Sequence, residues 1–154
     1  MTILLCGCKS GVDHSSGSIT FYYVEQEYSF GNTGSVIAAE ARESSGHRRD
    51  LSYMMALYLL GPVEEEHSSP IPSGTRIQCS TKENGGIQLK LTEEADVLSD
   101  AEFSLAASCL SLTCFNITNA PEVTIISKER RVTFNRNNLI LSDNYVSYPT
   151  MEEK

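Results

Sequence analysis

The chain has 154 residues, of which 40% are hydrophobic and 21% are charged, and its formal net charge is −8. A chain of this length and composition is typical of one globular domain that buries a core without a metal or disulfide staple. The excess of 20 acidic over 12 basic residues argues against binding to nucleic acid or to an anionic bilayer surface, because both require clustered cations.

The N-terminal segment, residues 1–17, resembles a membrane anchor and tether. Its Leu5-Cys6-Gly7-Cys8 is similar to a bacterial lipobox, in which a leucine stands three residues before an acylated cysteine. The polar run over residues 9–18 is rich in Ser and Gly, as a flexible tether would be. The apolar stretch before it is too short for a signal peptide, so we expect the upstream half of the signal to precede residue 1. Cys8 would then carry a diacylglyceryl group on the outer face of the cytoplasmic membrane.

Strand, turn and helix signals follow one another through the first half of the chain. Residues 19–24 are β-branched and aromatic, which predicts a strand. A turn is predicted over 30–35, and residues 36–42 are a candidate for a second extended piece. Apolar residues recur at helical spacing between positions 50 and 60, which predicts an amphipathic helix. Asp50 is its predicted N-cap, and Gly61-Pro62 its stop.

The second half continues with a hairpin and a longer helix. Residues 76–79 and 87–91 alternate in the manner of half-buried strands, and the Gly-rich stretch between them predicts a β-hairpin. Ser99 and Glu102 form a capping box, which predicts the start of a second helix. An apolar stripe then follows along that helix: Phe103, Ala106, Leu110 and Cys114.

Two further strands are predicted at 123–126 and 131–134, with a short edge strand at 139–141. The element order is therefore β-α-β-β-α-β-(β), which indicates the α+β class. Two helices cover one face of a small sheet, so we expect a mixed or antiparallel sheet with both helices packed on that face. The domain is expected to span residues 18–143, and a polar tail to follow over 144–154.

The five cysteines are too scattered to form a disulfide framework. Cys79, Cys109 and Cys114 fall in apolar or alternating segments, so they are predicted to be small buried hydrophobes. Cys6 and Cys8 lack the second pair of ligands that a zinc site needs.

The chain contains no motif for nucleophilic, metal-dependent or nucleotide chemistry, so no catalytic residue, metal or cofactor is expected. His14, His47 and His67 lie in polar loops. The run from Glu64 to His67 looks superficially like a metal cluster, but neighbouring loop residues rarely converge, and a solvated acidic turn explains it better. The alternative hypothesis is a small-molecule-binding or hydrolytic site assembled from Glu40, Arg42 and His47.

Residues 59–75 contain two motifs rich in Gly and Pro, which are separated by an acidic stretch. Leu59-Leu60-Gly61-Pro62 is followed, after an acidic stretch, by Pro70-Ile71-Pro72-Ser73-Gly74-Thr75. This segment resembles the GerMN domain family of sporulation and spore germination proteins, in which a helix ends in Leu-Leu-x-Gly-Pro and a loop leads through Ile-Pro-x-Gly-Thr into a strand.

Weaker matches extend the resemblance over residues 18–135. Phe21-Tyr22-Tyr23 is similar to the aromatic signature of the family's first strand, and residues 37–42 to its Leu-Val-Pro-Glu-x-Arg piece. Ala39 replaces the family's proline, and Lys128-Glu129-Arg130 its usual Asp-Gly turn. Family members often carry two tandem domains, whereas this chain has room for one.

The resemblance implies a non-catalytic, extracytoplasmic protein-interaction module that acts in sporulation, germination or cell-envelope assembly. Its partners would be other envelope proteins or further copies of the chain, and it would touch the membrane only through Cys8. Five residues match the most specific motif and are assigned a structural role, because glycine and proline set backbone geometry there: Gly61, Pro62, Pro72, Gly74 and Thr75.

Overall fold

The structure is a computed structural model, and it describes residues 17–28, 36–44, 46, 50–139 and 146–147. Several features of the sequence lie outside these residues: Cys8, His14, His47, the predicted turn at 30–35, the end of the predicted edge strand at 140–141 and most of the tail. In chain order the elements are β1 (Ser18–Glu25), β2 (Ile37–Glu43), α1 (Leu51–Tyr58), β3 (His67–Ser68), β4 (Ile77–Thr81), β5 (Ile87–Leu91), a short 3₁₀ helix (Glu93–Val97), α2 (Asp100–Ile117), β6 (Glu122–Ser127), β7 (Arg130–Asn135) and β8 (Val146–Ser147).

The described strands form two sheets. The first has the order β3-β1-β2-β8, in which β1 is antiparallel to β2 and β3, and β8 runs parallel to β2. The second has the order β4-β5-β6-β7, with the β4–β5 hairpin joined to β6 in parallel and β6 antiparallel to β7. β8 lies in the segment that was predicted to be a polar tail, so the first sheet extends beyond residue 143.

The α+β class and the order of helices and strands are confirmed, but the strands divide between two sheets where we expected one. Part of the edge of β1 is covered by side chains of α2. The Thr20 N–H donates to Asn116 Oδ1 at 2.7 Å, and the Tyr22 N–H donates to Thr113 Oγ1 at 3.0 Å. These donors would otherwise pair with a neighbouring strand, so α2 takes the place of a strand along this part of β1, and β3 pairs only with Val24 and Glu25.

The two helices begin where the sequence predicts. The Asp50 side chain accepts a hydrogen bond from the Tyr53 N–H, and both hydrogen bonds of the Ser99–Glu102 capping box are present. Cys109 and Cys114 of α2 are completely buried, whereas Cys79 on β4 is only half-buried. The predicted burial of Cys79 is therefore only partial, because β4 is the outermost strand of its sheet.

One hydrophobic core joins both sheets and both helices. A pair of tyrosines anchors the end of α1 to β1 inside it. The rings of Tyr23 and Tyr58 stack with their centroids 4.7 Å apart. The Tyr23 hydroxyl donates to the Tyr58 carbonyl at 2.9 Å, and the Tyr58 hydroxyl donates to the Tyr22 carbonyl at 2.8 Å. These contacts fix the C-terminal end of α1 relative to the first sheet, where the candidate site lies.

Candidate functional site

Glu40 is a buried acidic residue on β2, with only 3% of its surface exposed. A buried carboxylate is stable only if hydrogen bonds replace its water. Its Oε1 accepts hydrogen bonds from the Val63 N–H at 2.9 Å and from Arg42 Nη2 at 3.0 Å, and its Oε2 lies 3.2 Å from His67 Nδ1. Glu40 therefore joins a strand, a loop and a basic side chain at one point.

Arg42 lies two residues further along β2 and so points to the same side of the strand as Glu40. Besides its ion pair with Glu40, its Nη2 donates to the Gly61 carbonyl at 3.4 Å. Its guanidinium carbon lies 5.8 Å from the centre of the Phe21 ring. Its buried Nε has no hydrogen-bond partner among the described residues. Arg42 thus connects the buried carboxylate to the end of α1.

His67, not His47, is the histidine that the structure places beside Glu40. The prediction that His67 is a solvated loop residue is wrong, because its side chain is only 7% exposed. It belongs to β3, and pairing with Glu25 of β1 turns it inward. The preceding Glu64, Glu65 and Glu66 are exposed, as predicted. Only the long-range strand pairing distinguishes the histidine from them. His47 lies outside the described residues.

The loop that Glu40 binds begins with an exposed turn, residues 60–63, which we name the Leu60–Val63 corner. Gly61 has a φ of 92°, and its N–H donates to the Tyr58 carbonyl at 3.0 Å, which ends α1. Leu60 is 82% exposed and Val63 is 70% exposed. Glu40, Arg42 and His67, which we name the Glu40 cluster, contact the backbone of this corner at the Val63 N–H and the Gly61 carbonyl. The cluster therefore fixes the backbone that carries the two exposed apolar side chains.

The second half of the GerMN-like motif forms the turn into β4. Gly74 has a φ of 87°, a conformation that favours glycine, and the Thr75 N–H donates to the Pro72 carbonyl at 3.2 Å. Thr75 is buried. Gly61 and Gly74 thus both adopt a positive φ, and the structural role of all five motif residues stays a prediction.

Replacing Gly61 with valine is expected to lower the free energy of unfolding by roughly 1–2 kcal/mol. The cost should come from the backbone alone, because a Cβ at this position would meet nothing within 4 Å. Pro62→Ala is the matched control and should cost less, since that proline mainly restricts the unfolded chain. Urea unfolding of the two variants would measure the difference. An unchanged midpoint for Gly61→Val would contradict the assigned role.

Three surface clefts among the described residues lie away from the Glu40 cluster. One of about 550 Å³ is lined by Asp50 and Cys79, a second of about 470 Å³ by Arg76 and Lys90, and a third of about 230 Å³ by Pro70 and its neighbours. None of these three is lined by Glu40, Arg42 or His67. Within the described residues, no group of three His, Cys, Asp or Glu side chains could hold a metal ion.

No described helix combines the length and the apolar character needed to cross a membrane.

Comparison with known proteins identifies the fold. No protein-family model and no curated protein sequence matches the chain. Among solved structures, it is similar to the first GerMN domain of the sporulation protein GerM from Bacillus subtilis, at 13% sequence identity and a TM-score of 0.54, over 75% of this chain and 85% of that one. It is also similar to the tandem GerMN domains of GerM, at 11% identity and a TM-score of 0.51, over 75% of this chain and 40% of that one. The chain therefore has a GerMN-like fold.

Proposed function

We propose that this chain is a non-catalytic, extracytoplasmic protein-interaction module that acts in sporulation, germination or cell-envelope assembly. The GerMN-like fold supports the biological setting, since the similar structures belong to a sporulation protein. The lipobox-like start supports attachment outside the cytoplasmic membrane. Its partners are other envelope proteins or further copies of the chain.

The observation that carries this proposal is that hydrogen bonds within the domain occupy the buried carboxylate of the Glu40 cluster. A hydrolytic site needs a carboxylate or imidazole that can reach a substrate. Here Glu40 is buried, and its two oxygens are occupied by the Val63 N–H, Arg42 and His67. These groups position the backbone of the Leu60–Val63 corner. The cluster thus supports a surface that is suited to contact another protein.

A direct test is affinity purification of the full-length protein from crosslinked envelope fractions of a spore-forming host. We expect enrichment of at least one defined envelope protein over a control that carries the tag alone. A thermal-shift screen of small molecules provides the opposite test. A ligand whose stabilisation saturates and is lost in the Arg42→Lys variant would favour a small-molecule site near Glu40 and Arg42 instead.

Membrane attachment is expected to depend on Cys8. Replacing Cys8 with serine in the full-length gene, with the upstream signal present, should release the protein from the membrane fraction, because serine cannot form the thioether to a diacylglyceryl group. Cys6→Ser is the matched control and should leave the protein on the membrane. Fractionation and intact-mass measurement would test both variants. An unchanged distribution, with no lipid mass on Cys8, would exclude this anchor.

A further inference from the structure

The Leu60–Val63 corner exposes a pair of large apolar side chains at the end of α1. Leu60 and Val63 are 82% and 70% exposed, and they flank Gly61-Pro62. Single exposed hydrophobic residues are ordinary on protein surfaces, whereas exposed apolar patches mark interaction sites, and here two large apolar side chains are exposed within one four-residue turn. This pair is therefore the starting point of the inference.

The corner is held in one conformation before anything binds it. The Val63 N–H donates to Glu40 Oε1 at 2.9 Å, and Arg42 reaches the Gly61 carbonyl at 3.4 Å. Pro62 restricts the backbone between these two contacts. A rigid apolar projection loses little conformational entropy when it binds, which is a property of residues that anchor protein interfaces.

Three carboxylates adjoin the corner and remain available to a partner. Glu64, Glu65 and Glu66 are exposed, and none of them forms an ion pair with a basic side chain among the described residues. A binding surface for this part of the chain must therefore combine an apolar pocket with positive charge.

Val97 provides an internal comparison. It is 78% exposed and also has acidic neighbours, but it stands alone as a large exposed hydrophobic residue in its segment. Two of the acids beside it have partners within the chain, since Glu94 accepts from the Thr92 hydroxyl and Asp96 accepts from the Ser127 hydroxyl at 3.0 Å. Glu93 is exposed and forms no ion pair among the described residues. The exposure of the apolar side chain is thus similar at the two places, whereas two large exposed apolar side chains next to three consecutive exposed glutamates occur at the corner.

We propose that the Leu60–Val63 corner docks into an apolar pocket rimmed by lysine or arginine on a different envelope protein. This proposal rests on the interaction function proposed above and specifies its surface and the chemistry of the partner. The net charge of −8 disfavours a second copy of the chain as the partner. The same charge, together with the three glutamates, disfavours insertion of the corner into an anionic bilayer.

The experiment places the photo-crosslinking residue p-benzoylphenylalanine at position 60 of the full-length protein in intact cells, and at position 97 as the matched control. Mass spectrometry then locates each crosslink. We expect the adduct from position 60 to map to an apolar pocket with Lys or Arg within about one Debye length, ~8 Å. Position 97 should give about tenfold less adduct. Glu64→Gln, Glu65→Gln and Glu66→Gln combined should lower the yield from position 60 by about tenfold, as expected for loss of complementary charge.

Several outcomes would overturn the docking proposal. These are a crosslink to a second copy of the chain, to lipid or to an acidic surface, equal yields from positions 60 and 97, or a yield that the three glutamines leave unchanged. If position 60 gives no adduct while affinity purification still enriches an envelope protein, the proposed surface is wrong and the interaction function stands. If affinity purification also finds no partner, both proposals fail.

Discussion

The free energy of unfolding should fall steeply as the pH rises above about 9. Burial raises the pKa of the Cys109 and Cys114 thiols and of the Tyr23 and Tyr58 hydroxyls. These groups keep their protons in the folded state when the unfolded chain has lost them. The stability that they contribute is present below their unfolded pKa values and is lost as the pH rises above them.

The expected slope follows from linkage. Each such group contributes about 1.4 kcal/mol per pH unit once the pH exceeds its unfolded pKa, which is about 8.5 for a thiol and about 10 for a phenol. Two thiols and two phenols together give a slope of roughly 5 kcal/mol per pH unit above pH 10. Urea unfolding at a series of pH values would measure it.

Two variants distinguish an effect on the pH dependence of the free energy of unfolding from an effect on its magnitude. Cys109→Ala should make the slope shallower by about 1.4 kcal/mol per pH unit, because one titrating group is removed. Leu110→Ala, at a completely buried neighbouring position, should lower stability by about 2–5 kcal/mol at every pH and leave the slope unchanged. Stability that stays constant up to pH 11 would show that these groups ionise without unfolding.

Replacing Glu40 with alanine should destabilise the domain by about 3 kcal/mol, because removing one partner of a buried pair leaves the others without compensation. Arg42, His67 and the Val63 N–H would all lose the same acceptor. The value is taken from the low end of the range for buried pairs, since the Arg42 side chain is partly exposed. Urea unfolding would measure the loss, and hydrogen exchange should show faster exchange at the Val63 amide.

Glu43 is the matched control for Glu40, because it lies on the same strand in an exposed position. Glu43→Gln should change the free energy of unfolding by no more than about 0.5 kcal/mol. If Glu40→Ala also cost less than about 1 kcal/mol, water would be replacing the carboxylate and the corner would not depend on it.

Local signals in the sequence were enough to locate both helices. The Asp50 cap precedes α1, the Ser99–Glu102 box precedes α2, and Gly61 ends the first helical segment with its positive φ. Each of these signals acts within one turn of the chain, so it can be recognised from neighbouring residues alone. The β4–β5 hairpin was predictable for the same reason, since its turn lies between its two strands.

The separation into two sheets and the role of His67 depend on contacts between distant residues. Asn116 reaches the edge of β1 across 96 positions, and His67 approaches Glu40 across 27. Nothing near Asn116 in the sequence indicates that its amide replaces a strand partner. The alternative site named from the sequence contains Glu40 and Arg42, which the structure brings together, but the histidine that completes the cluster is His67 and not His47.

The covered edge of β1 also affects the tendency of the protein to aggregate when α2 is destabilised. The strand contains the run Ile19-Thr20-Phe21-Tyr22-Tyr23-Val24, which combines high β-propensity with no charge and no proline, as amyloid-forming segments do. Thr113 and Asn116 occupy the N–H groups through which a second strand could add to it. A substitution or chemical modification that destabilises the packing of α2 therefore does more than reduce the folded population. It exposes a template for fibril growth, so partly opened molecules would be prone to aggregate.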